Sequence, residues 1–140
     1  MELHEILEQY HAAANAFARG DPEPVKKIYS RRDDVTLANP WGPAVRGWSA
    51  VSHALDFASS RFRDGAVTQF ESVAEYVAPE LATILENERW TAKVSGKEVP
   101  STFELRVTTS FRCEDDAWKI VHRHADPITT PHPDGPLSVA

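Results

Sequence analysis

Two histidines and one aspartate alternate near the end of the chain, at His122, His124 and Asp126. In a β-strand, alternate side chains point to the same face, so Trp118 and Ile120 would begin that face with apolar groups. We therefore expect these five side chains to line an enclosed space with an apolar floor and a polar wall. A histidine beside a carboxylate can transfer protons near neutral pH. His124 is the candidate catalytic acid or base, and Asp126 is the candidate group that orients it.

Two other interpretations of the histidine pair remain open. The imidazoles could be structural groups that hydrogen-bond to backbone groups of a helix or of the C-terminal tail. They could also bind a metal ion, because two imidazoles and a carboxylate on one strand face form a partial ligand set. No second cluster accompanies them, since His4, His11 and His53 lie at unrelated spacings. We expect neither a metal ion nor any other cofactor.

A second pair of candidate acid–base groups, Glu86 and Glu88, alternates with Trp90. Paired carboxylates can act as a general acid and a general base. On a sheet, acids two residues apart more often face solvent or pair across strands with arginine. Arg106 and Arg112 are available partners, and we favour the cross-strand pairing.

The composition is that of one ordinary globular domain. The chain has 140 residues, 41% of them hydrophobic and 26% charged, with a formal net charge of −6. An acidic chain without a clustered basic patch is a poor partner for nucleic acid, and no apolar run approaches membrane-spanning length. Cys113 is the single cysteine, which excludes an internal disulfide and fits a reducing compartment. We expect a cytoplasmic protein.

The first half of the chain carries three helical patterns. Apolar residues recur every three or four positions from Leu3, which indicates an amphipathic helix that ends near Gly20. Asp21 and the proline after it can begin a second, short helix. A third helix is expected to follow Gly47 and to end at the Asp-Gly pair at 64–65.

The second half of the chain carries strand patterns joined by short turns. Such connections indicate an antiparallel meander, and a short strand over 35–38 with a turn over 39–43 precedes the third helix. Helices followed by an antiparallel sheet give an α+β fold, in which a twisted sheet can curl into a cone around a helix. The four long strands are expected at residues 66–77, 81–94, 102–113 and 118–126.

Four stretches resemble one superfamily: the helix end at 10–21, the turn at 38–48, the strand start at 81–83 and the strand at 118–126. They are similar to the nuclear transport factor 2-like superfamily, which includes SnoaL-like polyketide cyclases, ketosteroid isomerases and scytalone dehydratase. The last strand is also similar to the calmodulin kinase II association domain. The resemblance implies a cone-shaped SnoaL-like domain over 1–126 and a Pro-rich extended tail over 127–140. It also implies a homodimer formed through the outer face of the sheet.

The resemblance argues against standard ketosteroid isomerase chemistry. In that family an aspartate base precedes the turn proline, and this chain has Asn39 before Pro40. The family's hydrogen-bonding aspartate aligns with Thr109. An amide cannot abstract a proton, and a hydroxyl cannot replace a carboxylic acid as donor.

The resemblance also implies which side chains surround a ligand. It places Asn39 and Trp41 near the mouth of the cone and His124 and Asp126 on its concave wall. The predicted ligand contacts are Asn39, Trp41, Leu85, Thr109, Phe111, Ile120 and His122. The predicted apolar floor is Leu7, Phe17, Leu55, Phe111 and Ile120.

We predict from these observations a protein that binds a small, mainly apolar molecule with one or more polar groups. If it is an enzyme, the chemistry expected is cofactor-free isomerisation, cyclisation or dehydration. The alternative is a non-catalytic ligand-sensing or oligomerisation module on the same fold, which the missing isomerase base favours.

Overall fold

The computed structural model describes residues 2–138 and contains three helices and a six-stranded sheet, with the first two strands preceding the third helix. The helices are α1 (Leu3–Ala18), α2 (Glu23–Lys27) and α3 (Trp48–Ser60), and a short 3-10 turn (Gly135–Ser138) follows the sheet. The strands are β1 (Thr36–Asn39), β2 (Gly42–Arg46), β3 (Phe62–Val77), β4 (Leu81–Val94), β5 (Ser101–Glu114) and β6 (Ala117–Asp126). None of the helices in this part of the chain is long and apolar enough to cross a membrane.

The sheet has the strand order β2-β1-β6-β5-β4-β3. All neighbours are antiparallel except β1 and β6, which run parallel. The register between β3 and β4 shifts at three places along the strands, and bulges of this kind bend a strand. The long β3 can therefore curve over α1, which packs against it. The α+β cone predicted from the sequence is confirmed.

Two boundaries differ from the sequence predictions. The turn expected over 39–43 is a tight hairpin, because β2 begins at Gly42 and pairs back onto β1. The third helix was expected to reach 64–65, but it ends at Ser60, whose hydroxyl donates to the carbonyl of Phe57 at 2.6 Å. Phe62 begins β3 instead, because its ring packs into an aromatic cluster inside the cone.

Strand β6 contains the irregularity that matters most for the interior. Ser110 pairs with His122, whereas its neighbour Phe111 pairs with Ile120, so Val121 is an extra residue without a partner on β5. Such a bulge changes which side chains point to each face beyond it. Trp118 and Ile120 are buried in the core, but on the far side of the bulge the buried apolar residue is Ala125.

The segment 28–30 extends the sheet alongside β6. The amide of Ile120 donates to the carbonyl of Ile28 at 2.8 Å, and the amide of Ser30 donates to the carbonyl of Ile120 at 2.9 Å. The Ser30 hydroxyl also donates to the buried carboxylate of Glu114 at 2.9 Å. These bonds fix Tyr29 against β6, with its ring directed into the core.

The tail expected over 127–140 is described as far as residue 138. The amide of Ile128 donates to Asp126 Oδ1 at 2.9 Å, and the residues after it are irregular up to the 3-10 turn. Residues 139 and 140 lie outside the described part of the chain.

Candidate functional site

A cavity of about 350 Å³ lies between α1, α3 and the concave face of the sheet. Its apolar wall consists mainly of aromatic and aliphatic side chains, and its few polar groups are concentrated at the two ends. The described residues that line it are Tyr10, Ala14, Phe17, Val25, Tyr29, Leu37, Asn39, Pro40, Trp41, Leu55, Ala58, Phe62, Trp90, Val94, Ser95, Lys97, Ser101, Phe103, Leu105, Arg123, Ala125 and Pro127.

Aromatic rings form one wall of the cavity. Phe62 and Phe103 stack at 6.0 Å between centroids, and Trp90 lies 5.2 Å from Phe62 and 5.9 Å from Phe103. Phe17 and Trp41 meet this group edge-on, at 6.4 Å from Trp90 and 5.7 Å from Phe62 respectively. A continuous aromatic wall favours a flat apolar guest, because such rings bury large areas and stack on other rings.

The mouth of the cavity is bounded by exposed residues of three segments. These are the β1–β2 hairpin at Pro40, the β4–β5 turn at Ser95 and Lys97, and Pro127 after β6. Asn39 holds the hairpin, because its Oδ1 accepts the amide of Trp41 at 3.0 Å.

The inner end of the cavity is built around a buried ion pair. Glu88 on β4 is fully buried, and its Oε1 accepts Arg123 Nη2 at 3.2 Å and Trp90 Nε1 at 3.0 Å. Tyr10 on α1 donates its hydroxyl to Glu88 Oε2 and accepts a hydrogen bond from Arg123. Three elements thus supply one fully hydrogen-bonded cluster, as buried charges require.

The electrostatics of this cluster keep both charges in place. Burial by itself raises the pKa of the Glu88 carboxyl, but the charge of Arg123 and hydrogen bonds from Arg123, Tyr10 and Trp90 hold it below its usual value. Burial opposes the charge of Arg123, yet the Glu88 carboxylate raises the pKa of that guanidinium above its ordinary value. Burial also raises the pKa of Tyr10 well above 10.0. At neutral pH the cluster is therefore a carboxylate, a guanidinium and a neutral phenol.

Tyr29 lies at the same end of the cavity and is only 1% exposed. Its hydroxyl is buried and has no hydrogen-bond partner among the described protein groups. Burial raises its pKa to about 12, with the positive charge of Arg123 acting in the opposite direction. Tyr29 is therefore a neutral phenol that contributes to the cavity lining, while its hydroxyl oxygen is closed off from the accessible space.

The predicted orientation of the histidine pair is wrong. Because of the bulge at Val121, Arg123 rather than His122 or His124 contributes to the cavity lining, and Asp126 lies outside it as well. His124 has a side chain that is 54% exposed, and its Nε2 lies 3.5 Å from Asp126 Oδ2. These side chains lie on the other face of the sheet, so the candidate acid–base pair does not reach the enclosed space.

His122 belongs to the strand interface on that outer face. Its Nδ1 lies 2.8 Å from the hydroxyl oxygen of Thr36 on β1. Burial first, and the neighbouring His124 second, lower the pKa of His122 below 6.5. His122 therefore has a structural role, but its partner is a side-chain hydroxyl on a strand and not the backbone groups that were expected.

The other predicted contacts divide into three groups. Asn39 and Trp41 line the cavity at its mouth, and Phe17 and Leu55 line its apolar part.

Phe111 and Ile120 are fully buried in the solid core, and Leu7 packs against that core. Thr109 is buried without reaching the lining, and Leu85 alternates with the buried residues of β4 and so lies on the opposite face. The last five were expected to contact the ligand or form the floor, but they are not part of the cavity lining.

The arginine partners predicted for the glutamate pair are wrong, although Glu88 does pair with an arginine of another strand, Arg123. Glu86 and Glu88 both point into the interior, and Glu86 Oε2 accepts a hydrogen bond from His11 Nε2 at 3.0 Å. Arg106 pairs instead with Asp126 at 2.8 Å. Arg112, the other proposed partner, binds Asp34 at 2.8 Å and Glu114 at 2.7 Å.

The described residues include no group of three or more His, Cys, Asp or Glu side chains that could hold a metal ion. Within the cavity lining the titratable side chains are Tyr10, Tyr29, Lys97 and Arg123. The arrangement can bind an apolar molecule and donate hydrogen bonds to it. No carboxylate or imidazole of the described residues lines the cavity to accept a proton.

Comparisons with known proteins identify the fold. A sequence model of the SnoaL-like domain matches residues 5–129. No curated protein shows significant sequence similarity to the chain. Among solved structures, a nuclear transport factor 2-like superfamily protein from Salmonella enterica superposes with a TM-score of 0.78 at 20% identity, with 94% of this chain and 95% of that one covered.

Two further solved structures with the same fold carry different functional names. A ketosteroid isomerase-like protein from Erwinia carotovora atroseptica gives a TM-score of 0.73 at 20% identity, with 92% of this chain and 98% of that one covered. A candidate calcium/calmodulin-dependent protein kinase type II association domain from Thiobacillus denitrificans gives 0.67 at 20% identity, with 90% and 94% covered. The resemblance predicted from the sequence is confirmed, and these similarities establish the fold alone.

Proposed function

The chain belongs to the SnoaL-like domain family, and on that premise we propose that it binds a small, mainly apolar molecule inside the cone. The observation that carries the proposal is the cavity of about 350 Å³ with its aromatic wall and its polar inner end. Cavities of this size, mostly apolar with a few placed polar groups, are typical of small-molecule sites.

Binding without proton transfer is the function that the lining supports best. A general base must reach the proton that it removes, and the carboxylate nearest the cavity, Glu88, is fully buried and bonded to three donors. His124 and Asp126 lie on the other face of the sheet. The protein's contribution to a ligand is therefore shape, apolar contact and hydrogen-bond donation.

Cofactor-free isomerisation, cyclisation or dehydration is the second candidate function. The observation in its favour is the presence of Arg123 at the inner end of the cavity, since such a donor stabilises negative charge that develops on a substrate oxygen. In that case a group of the substrate or a solvent molecule would have to accept the proton.

A pair of variants at adjacent positions of β6 tests the binding proposal. Ala125 is 3% exposed and lines the cavity, whereas His124 lies outside it. Ala125→Phe should fill the cavity with a ring, and His124→Phe should add the same ring on the opposite face. The bicyclic hydrocarbon tetralin should raise the melting temperature of the wild type and of His124→Phe, but not that of Ala125→Phe. Equal stabilisation of all three proteins would place the binding site outside the cavity and would contradict the proposal.

We also propose that the chain forms a homodimer through the outer face of its sheet and works in the cytoplasm. Exposed large side chains on the outer face at the β3–β4 end of the sheet, Tyr76 and Leu81, support an association surface. The ion pair of Arg106 with Asp126 lies towards the middle of the sheet. Sedimentation velocity checks the assembly, and a monomer at micromolar concentration would contradict it.

The proposed cytoplasmic location is supported by the single cysteine, Cys113, which fits a reducing compartment.

A further inference from the structure

Lys97 is a charged residue of the cavity lining to which the proposed function gives no role. It lies in the β4–β5 turn, is exposed, and belongs to the residues that bound the mouth. Main-chain bonds place it there, because the amide of Lys97 donates to the carbonyl of Val94 at 3.1 Å and the amide of Ser95 donates to the carbonyl of Arg61 at 2.9 Å. The flexible four-carbon stem of a lysine lets its ammonium meet a group at the opening.

The ammonium of Lys97 has no carboxylate partner among the described residues. The next residue, Glu98, is bound elsewhere, since its Oε1 lies 3.0 Å from Arg63 Nη2 and its Oε2 lies 3.8 Å from Lys93 Nζ. Lys93 Nζ also lies 3.2 Å from Asp64 Oδ2. These two cations and two anions balance each other, so the positive charge of Lys97 is left without a counter-charge.

The other charged side chain of the lining, Arg123, already has its counter-charge. Its Nη2 lies 3.2 Å from the buried carboxylate of Glu88. A ligand anion beside Arg123 would also lie close to Glu88, and like charges repel strongly at low dielectric. No Asp or Glu of the described residues lines the cavity. Within the described lining, the uncompensated charge is therefore positive and lies at the mouth.

A ring compound with a carboxylate matches this distribution of charge. Its ring would pack against the aromatic wall of Phe62, Trp90 and Phe103. Its carboxylate would stay at the opening, where contact with water avoids the large cost of burying an ion. The net charge of the chain, −6, disfavours anions in general, so a preference for one has to come from a local cation.

We propose that the ligand is an aromatic carboxylic acid that binds ring first, with its carboxylate at the mouth beside Lys97. The inference rests on the proposed binding function and adds the chemical class and the orientation of the ligand. Lys97 is then the residue that selects an anion over an uncharged molecule of the same shape.

Two probes of nearly the same shape test the proposal: 2-naphthoate, which is an anion at pH 7, and 2-naphthamide, which is uncharged. Isothermal titration calorimetry at low ionic strength measures both affinities. The wild type should bind the naphthoate about three- to fivefold more tightly, as expected for an exposed ion pair. Lys97→Gln should bind the two probes equally, and Lys97→Glu should prefer the amide. The affinity for the amide should be the same in all three proteins.

Lys27 supplies the matched control. It is an exposed lysine of α2 outside the lining, so Lys27→Gln and Lys27→Glu change the net charge by the same amounts as the Lys97 variants. Both should keep the wild-type preference for the naphthoate. A salt series on the wild type tests the same point without any variant, because sodium chloride at about 1 M should screen most of the preference.

The outcomes separate this inference from the binding proposal. A wild type without a preference for the naphthoate, or a preference that survives Lys97→Gln or high salt, overturns the role of Lys97 and leaves the binding function standing. An equal loss of preference in the Lys27 variants also overturns it, because net charge would then be the cause. If neither probe binds although tetralin does, the inference fails alone. If none of the three compounds binds, the binding function fails with it.

Discussion

The two halves of β6, before and after Val121, have different structural roles in the same sheet. Before it, Trp118 and Ile120 pack into a solid core. After it, Arg123 and Ala125 form part of the wall of a cavity. One unpaired residue separates the two halves. The comparison shows that a single bulge can divide one strand into a part that stabilises the fold and a part that shapes a site.

The largest expected effect comes from the charged residue on the cavity side of this strand. Arg123→Met leaves Glu88 as a buried carboxylate without its cation, which should lower the free energy of unfolding by about 3–5 kcal/mol. Urea denaturation at pH 7 measures the change. Arg106→Met is the matched control, because it removes an arginine whose side chain is 54% exposed and paired with Asp126. Its effect should stay within about 1 kcal/mol. Equal losses of unfolding free energy in Arg123→Met and Arg106→Met would contradict the expected difference between the buried and the exposed ion pair.

Arg123→Met should also reverse the pH dependence that Glu88 contributes to the free energy of unfolding. In the wild type the pKa of Glu88 is lowered, so its contribution to stability is present above the unfolded-state pKa near 4.5 and is lost as the pH falls further. In Arg123→Met burial acts without the opposing cation and raises the pKa of Glu88, so the variant should gain stability as the pH falls through that raised value. The difference in unfolding free energy between wild type and variant should therefore shrink from pH 7 to pH 4.5. A difference that stays constant would show that Glu88 is not the group left uncompensated.

The smallest expected effect lies on the outer face, at His122. Because its folded-state pKa is lowered, the unfolded chain binds the proton more readily. Wild-type stability should thus fall as the pH drops from about 7.5 to 5.5, through the unfolded value of about 6.5, by less than about 1 kcal/mol since the ring is partly solvated. His122→Asn should remove this part of the slope, and His53→Asn, at an exposed position on α3, should not. Urea denaturation at the two pH values gives the comparison.

The fold could be predicted from the sequence because its signals are local and repeated. The apolar spacing of α1 and the end of β4 at Val94 follow from periodicity and turn residues. The β1–β2 hairpin was missed because Pro40 and Gly42 in so short a segment are typical of a turn, and the pairing depends on contacts made elsewhere in the sheet.

The site could be predicted only in part, because strict alternation fails at a bulge. Asn39 and Trp41 were placed correctly from the turn and the family resemblance, but nothing within β6 marks Val121 as unpaired, since the cause lies in its pairing with β5. Glu88 carried a usable signal. With Glu86 it lies between Ile84 and Trp90 on one face of the strand, and carboxylates between apolar residues on one face predict a buried cation as a partner.

The attachment of residues 28–30 to β6 has a consequence for how fast a guest would enter and leave. Tyr29 and Arg123 are both held by main-chain pairing to one central strand, so the inner end is preorganised and a guest does not have to order it. The segments around the entrance, at Pro40, Lys97 and Pro127, are two exposed turns and the exposed start of the segment after β6. Residence time should therefore be set by opening motions of these turns rather than by rearrangement of the polar groups.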